Sequence, residues 1–218
     1  MKKTFLKWSG LCLISAMLLS SCISDTEQPV VDEMAQELTE SAEALSEGEN
    51  LRKSPNGVFY QEKFTNQIFL VGDLENGWEE GMPAPAWYPG TGMGNATYMG
   101  KAYSFINQYA TLGQTGLVTV GAPVTQFFEV ELATLGLTNI PDEVSSLTTD
   151  GKGNAIFFKN IFNQTTPASE TRVNFLAEVE IIGGTGIFEN ATGLGTVNGF
   201  FNPQDGKGET TLRSNIKF

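Results

Sequence analysis

Glu129 and Glu131 stand two positions apart, as do Glu178 and Glu180. In extended chain each pair shares one face of a strand. Paired carboxylates serve as acid and base in glycoside chemistry. Both pairs, however, lie opposite an apolar stripe, Phe128, Val130 and Leu132 in the first case and Val179 and Ile181 in the second. That is the pattern of a solvent-facing strand surface. A second candidate is the stretch between Gly72 and Gly94, which holds Trp78, Glu79, Glu80, Trp87 and Tyr88 with three prolines. Long connections of this kind are uncommon and often functional. Aromatic rings beside carboxylates suit stacking on a sugar or closing over an apolar ligand; packing of the tryptophans against a wall is the structural alternative. Trp78, Glu79, Trp87 and Tyr88, with Tyr98 and Tyr103 downstream, are the candidate ligand-binding residues. Asp150-Gly151-Lys152-Gly153-Asn154 has too few acidic ligands for a cation and reads as a hairpin turn. No metal site and no cofactor are expected.

What is missing narrows the chemistry further. The chain has no histidine, which removes Ser-His-Asp and Cys-His catalysis and imidazole zinc sites. No catalytic residue is assigned; an enzyme built from this chain would have to use Glu, Asp, Tyr or Lys. Its two cysteines are Cys12 and Cys22. Lys2, Lys3 and Lys7 precede an apolar run from Leu11 to Leu19, too short to span a bilayer comfortably. Leu19-Ser20-Ser21-Cys22 then resembles a bacterial lipobox, in which Cys22 is lipidated and becomes the first residue of the mature protein. Residues 1–21 are expected to be a lipoprotein signal peptide. The mature domain would then carry no disulfide and depend on its own core.

Removing Lys2, Lys3 and Lys7 with the leader takes the 13 basic residues to ten, against 25 acidic ones, a net charge of −15. Such a surface repels phosphate backbones, so no nucleic-acid partner is expected. Between Ile23 and Asn50 there are nine acidic residues and no basic one. Val31, Met34, Leu38, Ala42 and Leu45 recur there at helical spacing before Gly48. Residues 22–57 therefore read as a lipidated N-terminus and an acidic, partly helical tether.

From Val58 onward the texture is that of strands. Period-two alternation recurs in Phe59–Val71, Tyr98–Thr111, Thr125–Leu132, Ala155–Phe162, Thr171–Ile181, Gly195–Phe201 and Thr210–Phe218, with a further short strand within Thr115–Val120. No long helical pattern appears after residue 50. Seven or eight strands in one domain must manage their edges, and closing into a barrel does so. The expected fold is all-β, a single antiparallel β-barrel of about eight strands over residues 58–218, with a sandwich as the rival. Phe105, Phe128, Phe158, Phe175 and Val179 are expected to point inward.

The Gly-rich stretch Gly183-Gly184-Thr185-Gly186-Ile187-Phe188 has room for a tight turn, with positive φ at its glycines and Phe188 free to plug one barrel end. A helical turn over Glu189–Ala191 ended by Gly193 in the left-handed region is expected next. The spacing fits no phosphate-binding loop. With Ala191, Thr192 and Gly193 it is similar to the signature of the allene oxide cyclase and dirigent-like (calycin-like) β-barrels. Two weaker likenesses accompany it. Gly94-Asn95-Ala96-Thr97-Tyr98-Met99-Gly100-Lys101 resembles a turn of bacterial barrels of this kind, with Tyr98 and Met99 in place of a His-Leu pair. Thr149–Asn154 resembles their mid-chain Gly-Asp turn. The resemblance implies a fold and, through Gly183, Gly184, Gly186, Phe188 and Gly193, a fold signature; no catalytic position carries over.

Together these readings describe a lipid-anchored protein of a bacterial cell envelope, on the outer membrane through acylated Cys22. Its barrel would bind a small apolar ligand or a glycan without catalysis. A structural or protein-interaction lipoprotein is the alternative. An isomerase or cyclase-like enzyme follows by fold analogy only.

Overall fold

The first wall strand explains how this sequence builds a barrel. Along β1 (Val58–Ile68), Tyr60, Glu62 and Phe64 are buried, while Phe59, Lys63 and Thr65 face solvent. The alternation of the sequence becomes the two faces of a pleated strand. In the computed structural model, residues 57–72, 86–112 and 117–218 are described. The leader, Cys22, the acidic tether, Trp78 and Glu79 lie outside them.

Eleven strands follow β1: β2 (Val71–Gly72), β3 (Ala86–Trp87), β4 (Gly90–Ala96), β5 (Gly100–Ile106), β6 (Gln108–Leu112), β7 (Leu117–Gly121), β8 (Ser146–Thr149), β9 (Ala155–Ser169), β10 (Arg172–Thr185), β11 (Thr192–Phe201) and β12 (Lys207–Lys217). Eight of the twelve described strands, in the order β10-β11-β12-β1-β4-β5-β8-β9, close an antiparallel barrel because β9 also pairs with β10. The expected barrel is the observed one. The other four, β2, β3, β6 and β7, continue from β9.

These four prolong the wall in its own register. Glu62 faces Ala96 and Ile68 faces Gly90; Phe69 donates to the Pro89 carbonyl, and Val71 faces Trp87. The ladder between β1–β2 and β3–β4 is thus continuous, and the same holds between β3–β4 and β5–β6. Strands β7 and β8 share one position in the wall. β7 ends with Gly121 opposite Gln108, and β8 begins with Ser146 opposite Ile106. Asn107, between them, donates its N–H to the Ser145 carbonyl and accepts at its own carbonyl from Ala122.

The chain that leaves the wall there carries helix α1 (Thr125–Thr134). A strand was expected over Thr125–Leu132, and that expectation is overturned. Val124, Phe128 and Leu132, four residues apart, are all buried, while Val130 of the supposed apolar stripe is 73 % exposed. The helix bends at Phe128 (φ −126°, ψ 17°) and packs outside the barrel on Phe105, Leu147, Ala155 and Phe157. Tertiary packing overrides the β-propensity of the segment. Phe128 is therefore outside the barrel. Phe105, alternating with Ser104 and Ile106, sets its ring edge-on to Phe128 at 5.4 Å between centroids. Phe158, Phe175 and Val179 line the interior as expected.

One end of the barrel is plugged. Phe188 is fully buried, edge-on to Tyr60 at 5.7 Å and packed with Ile156, Ile181 and Ile216. Gly186 (φ +62°) provides the left-handed step that starts the 3-10 turn Gly186–Phe188. Gly184 is needed for space, since a Cβ there would run into the Ala155 carbonyl. The turn comes earlier than the expected Glu189–Ala191. Asn190 (φ +68°) takes the left-handed conformation expected of Gly193, which instead lies in β11 opposite Ile181. The three motif-bearing stretches meet at this end. Asn154 Oδ1 accepts from the Ile187 N–H (3.1 Å), Thr185 Oγ1 donates to the Gly153 carbonyl (2.8 Å), and Tyr98 and Met99 pack into the Phe188 cluster. Asp150 closes its hairpin by accepting from the N–H groups of Lys152 and Asn154.

Candidate functional site

Beyond the Phe188 plug the barrel is not solid. A cavity of about 110 Å³ lies inside the wall, its lining running from Glu62 and Leu212 to Ile68, Tyr88, Phe175 and Phe201. On β4, Gly90, Gly92 and Gly94 stand opposite Ile68, Asn66 and Phe64, and the space a Cβ would take there is filled by neighbours such as Ile68 and Ser104. Phe64, Phe158, Phe175, Val179, Val197 and Leu212 are among the apolar residues of the lining.

Glu62 is the one charged residue of that lining among the described residues. β1 puts it on the inward face between Tyr60 and Phe64, where it is 4 % exposed. Tyr60 donates its hydroxyl to Glu62 Oε1 at 2.6 Å, and Thr148 on β8 supplies a second hydrogen bond. Burial disfavours the carboxylate more than these donors favour it, so its pKa rises to about 7. Burial and then the neighbouring Glu62 charge push the Tyr60 phenol well above its ordinary value, so it remains a donor. A carboxylate accepts up to about four hydrogen bonds, which leaves Glu62 capacity for a ligand.

Farther along, near the β7–β8 junction, the lining turns polar. Asn163 donates to Gln108 Oε1 at 2.6 Å, and Thr210 donates to Asn66 Oδ1 at 2.9 Å. Asn66 Nδ2, Thr119 Oγ1, Asn160 Oδ1 and Asn163 Oδ1 have no hydrogen-bond partner among the described residues. All four residues belong to the cavity lining. Buried polar atoms are nearly always satisfied, so these four give the cavity hydrogen-bonding capacity toward a ligand or water.

The sequence candidates are dispersed by the fold. Tyr88 is buried and lines the cavity; burial raises its pKa. Trp87, one residue earlier, stacks edge-on against Tyr109 at 4.9 Å and lies 6.1 Å from Phe127 of α1. Tyr98, in the β4–β5 turn, donates to the Phe59 carbonyl (3.3 Å) beside the plugged end. Tyr103 packs on the helix-covered side, with the Lys101 ammonium 5.8 Å from its ring centre. Neither Tyr98 nor Tyr103 joins the cavity lining. Glu129, Glu131, Glu178 and Glu180 are exposed, the first two on α1 rather than a strand. Among the described residues no cluster of three or more His, Cys, Asp or Glu is placed to hold a metal.

Glu62 was missed, although its signal is in the sequence. Val58, Tyr60, Phe64 and Ile68 form the apolar face of β1, and Glu62 interrupts it from the middle. A lone carboxylate on the apolar face of an amphipathic strand is buried by its neighbours whether or not it has a partner. Comparison with protein families, with curated proteins and with solved structures finds no match for this chain.

Proposed function

We propose that this chain is a lipid-anchored protein of a bacterial cell envelope, held on the outer membrane by acylated Cys22, whose barrel binds a small, mostly apolar ligand without catalysing a reaction on it. The observation that carries this reading is the cavity: apolar walls, one buried carboxyl group and a polar belt with unpartnered atoms. Such a combination of apolar surface and a few convergent polar groups is the usual make-up of a ligand site. The anchor rests on the order of basic residues, apolar run, small residues and Cys22. A kinship with the allene oxide cyclase and dirigent-like barrels is part of the proposal. It is supported by the eight-stranded antiparallel barrel and by the meeting of the three motif stretches at the Phe188 end.

Native mass spectrometry of protein purified from its own membrane tests the binding reading. A co-purified small molecule, lost on unfolding, is the expected result; a ligand-free protein that takes up no apolar compound would overturn it. Cys22→Ala should move the protein to the soluble fraction, and unchanged membrane attachment would refute the anchor.

One observation favours a second reading, a proton-transferring isomerase. Glu62, buried on the inner face of the barrel, has a pKa of about 7, the condition a general base needs near neutral pH. Turnover of a carbonyl compound that disappears in Glu62→Gln would establish it.

A further inference from the structure

We propose that the cavity selects a small apolar amine, its ammonium group paired with the Glu62 carboxylate and its apolar body held among the phenylalanine rings. This inference rests on the ligand-binding reading and names its ligand class. It starts from an imbalance of charge. Among the described residues the cavity lining contains no Lys or Arg, and Glu62 is its one charged residue. The groups around Glu62 come from every neighbouring strand: Ala96 on β4 and Leu212 on β12 flank it, and Thr148 on β8 bonds to it. Tyr60 is the one titratable neighbour, with Tyr88 farther along the same cavity.

Tyr60 and Thr148 are neutral donors. They stabilise the carboxylate but leave its charge uncompensated, and an unpaired buried charge costs several kcal/mol. Below neutrality a proton removes this cost; above it, a bound cation does. A carboxylate ligand would add a second negative charge beside the first, so anionic amphiphiles are rejected. A neutral alcohol gains one hydrogen bond and no charge pairing. The walls also suit a cation with an apolar body, since Phe64, Phe158 and Phe175 line the cavity and aromatic faces attract ammonium groups. Size limits the body: an apolar cavity of about 150 Å³ takes up benzene, and this one measures about 110 Å³. The surplus of acidic residues, 25 against 13 basic, draws cations toward the protein and anions away.

Pairing requires Glu62 to be ionised. Its pKa of about 7 makes amine binding weaken as the pH falls through neutrality, while an alcohol is indifferent to the change.

The test uses the full-length purified protein and three probes that share one small branched body: isobutylamine, isobutanol and isobutyrate, titrated calorimetrically at about pH 8 and about pH 5.5. Isobutylamine should bind at least about tenfold more tightly than isobutanol at the higher pH, lose that preference at the lower pH, and isobutyrate should bind more weakly than both. Glu62→Gln should abolish the amine preference. An alcohol that binds as well as the amine at the higher pH, or a preference that survives in Glu62→Gln, overturns the inference and leaves the ligand-binding reading standing. Failure of all three probes to bind overturns both. The pH dependence in the wild-type protein decides the matter even where the variant fails to fold.

Discussion

Tyr60 Oη lies 2.6 Å from Glu62 Oε1, two positions along one strand and on the inner face of the barrel. Strand alternation puts the acid and its donor on the same face, and both are buried there. The electrostatics of the pair therefore belong to the stability of the fold as well as to the cavity.

Stability should depend on pH through Glu62. Its pKa is about 7 in the folded chain against 4.5 ordinarily. Between those values the unfolded chain has released a proton that the folded chain keeps, so stability falls as the pH rises from 4.5 to 7. Above 7 the loss is complete, and below 4.5 the group contributes no pH dependence. The total is about 3 kcal/mol. Glu62→Gln, neutral throughout, should gain that much on the wild type across the window in urea unfolding. Parallel curves for the two proteins would show that Glu62 titrates normally.

Tyr60→Phe removes the donor and leaves the ring. The tyrosine bond lowers the Glu62 pKa, so the variant should titrate higher still. Its destabilisation should be about 1 kcal/mol in acid and about 2–3 kcal/mol above neutrality, where a charged acceptor is left short of a donor. A pH-independent loss would assign the effect to packing alone.

Phe188→Ala empties the plug. Phe188 is fully buried between Tyr60 and Phe218, its ring centres 5.7 and 6.2 Å from theirs. Truncating a buried phenylalanine costs about 3–5 kcal/mol. Denaturant unfolding checks this, and a loss under about 1 kcal/mol would mean that the end is closed by other residues.

Asn107 should govern the junction between β7 and β8. Its Nδ2 donates to the Pro123 carbonyl at 2.9 Å and to Gln126 Oε1 at 3.1 Å, tying the wall to the start of α1. Asn107→Ala should cost about 1–3 kcal/mol. Amide hydrogen exchange should accelerate in α1 and at the junction while β10–β11 stays protected. Uniform acceleration would argue against a local role.

The legibility of the chain followed its physics. Alternation is a local property, so β1, β5, β9, β10, β11 and β12 could be read from residues such as Val173, Phe175, Ala177 and Val179, which share a face of β10, whereas the Gly-rich β4 and the short β8 lay in no expected strand. The helix could not. Phe128, Val130 and Leu132 fit a strand, while Val124, Phe128 and Leu132 fit a helix, and the choice between them is made by Phe105 and Phe157, far away in sequence. Phe188 was legible as a plug because glycines before it announce a turn. The site was hidden for the opposite reason. A cavity is enclosed by side chains of strands far apart in sequence, as Glu62, Phe158, Phe175 and Leu212 enclose this one, and that arrangement is not written in any one segment. Tyr88 was picked out from the aromatic content of its loop and does line the cavity, while Tyr103 was turned outward by its place in the alternation of β5.

One position in the barrel wall is filled by two separate pieces of chain, β7 and β8, with α1 between them. The consequence concerns assembly. Every other stave of the barrel is laid in a single pass along the chain, but this one must be laid twice, with an excursion over the outside in between. The second piece, β8, pairs with β9 through a short hairpin, and its Leu147 packs with Phe105 against α1. Closing the detour between β7 and β8 costs chain entropy, which the contacts of α1 help to offset. The helix is thus a clasp on the outside of the wall, fastened to the junction by the Asn107–Gln126 bond.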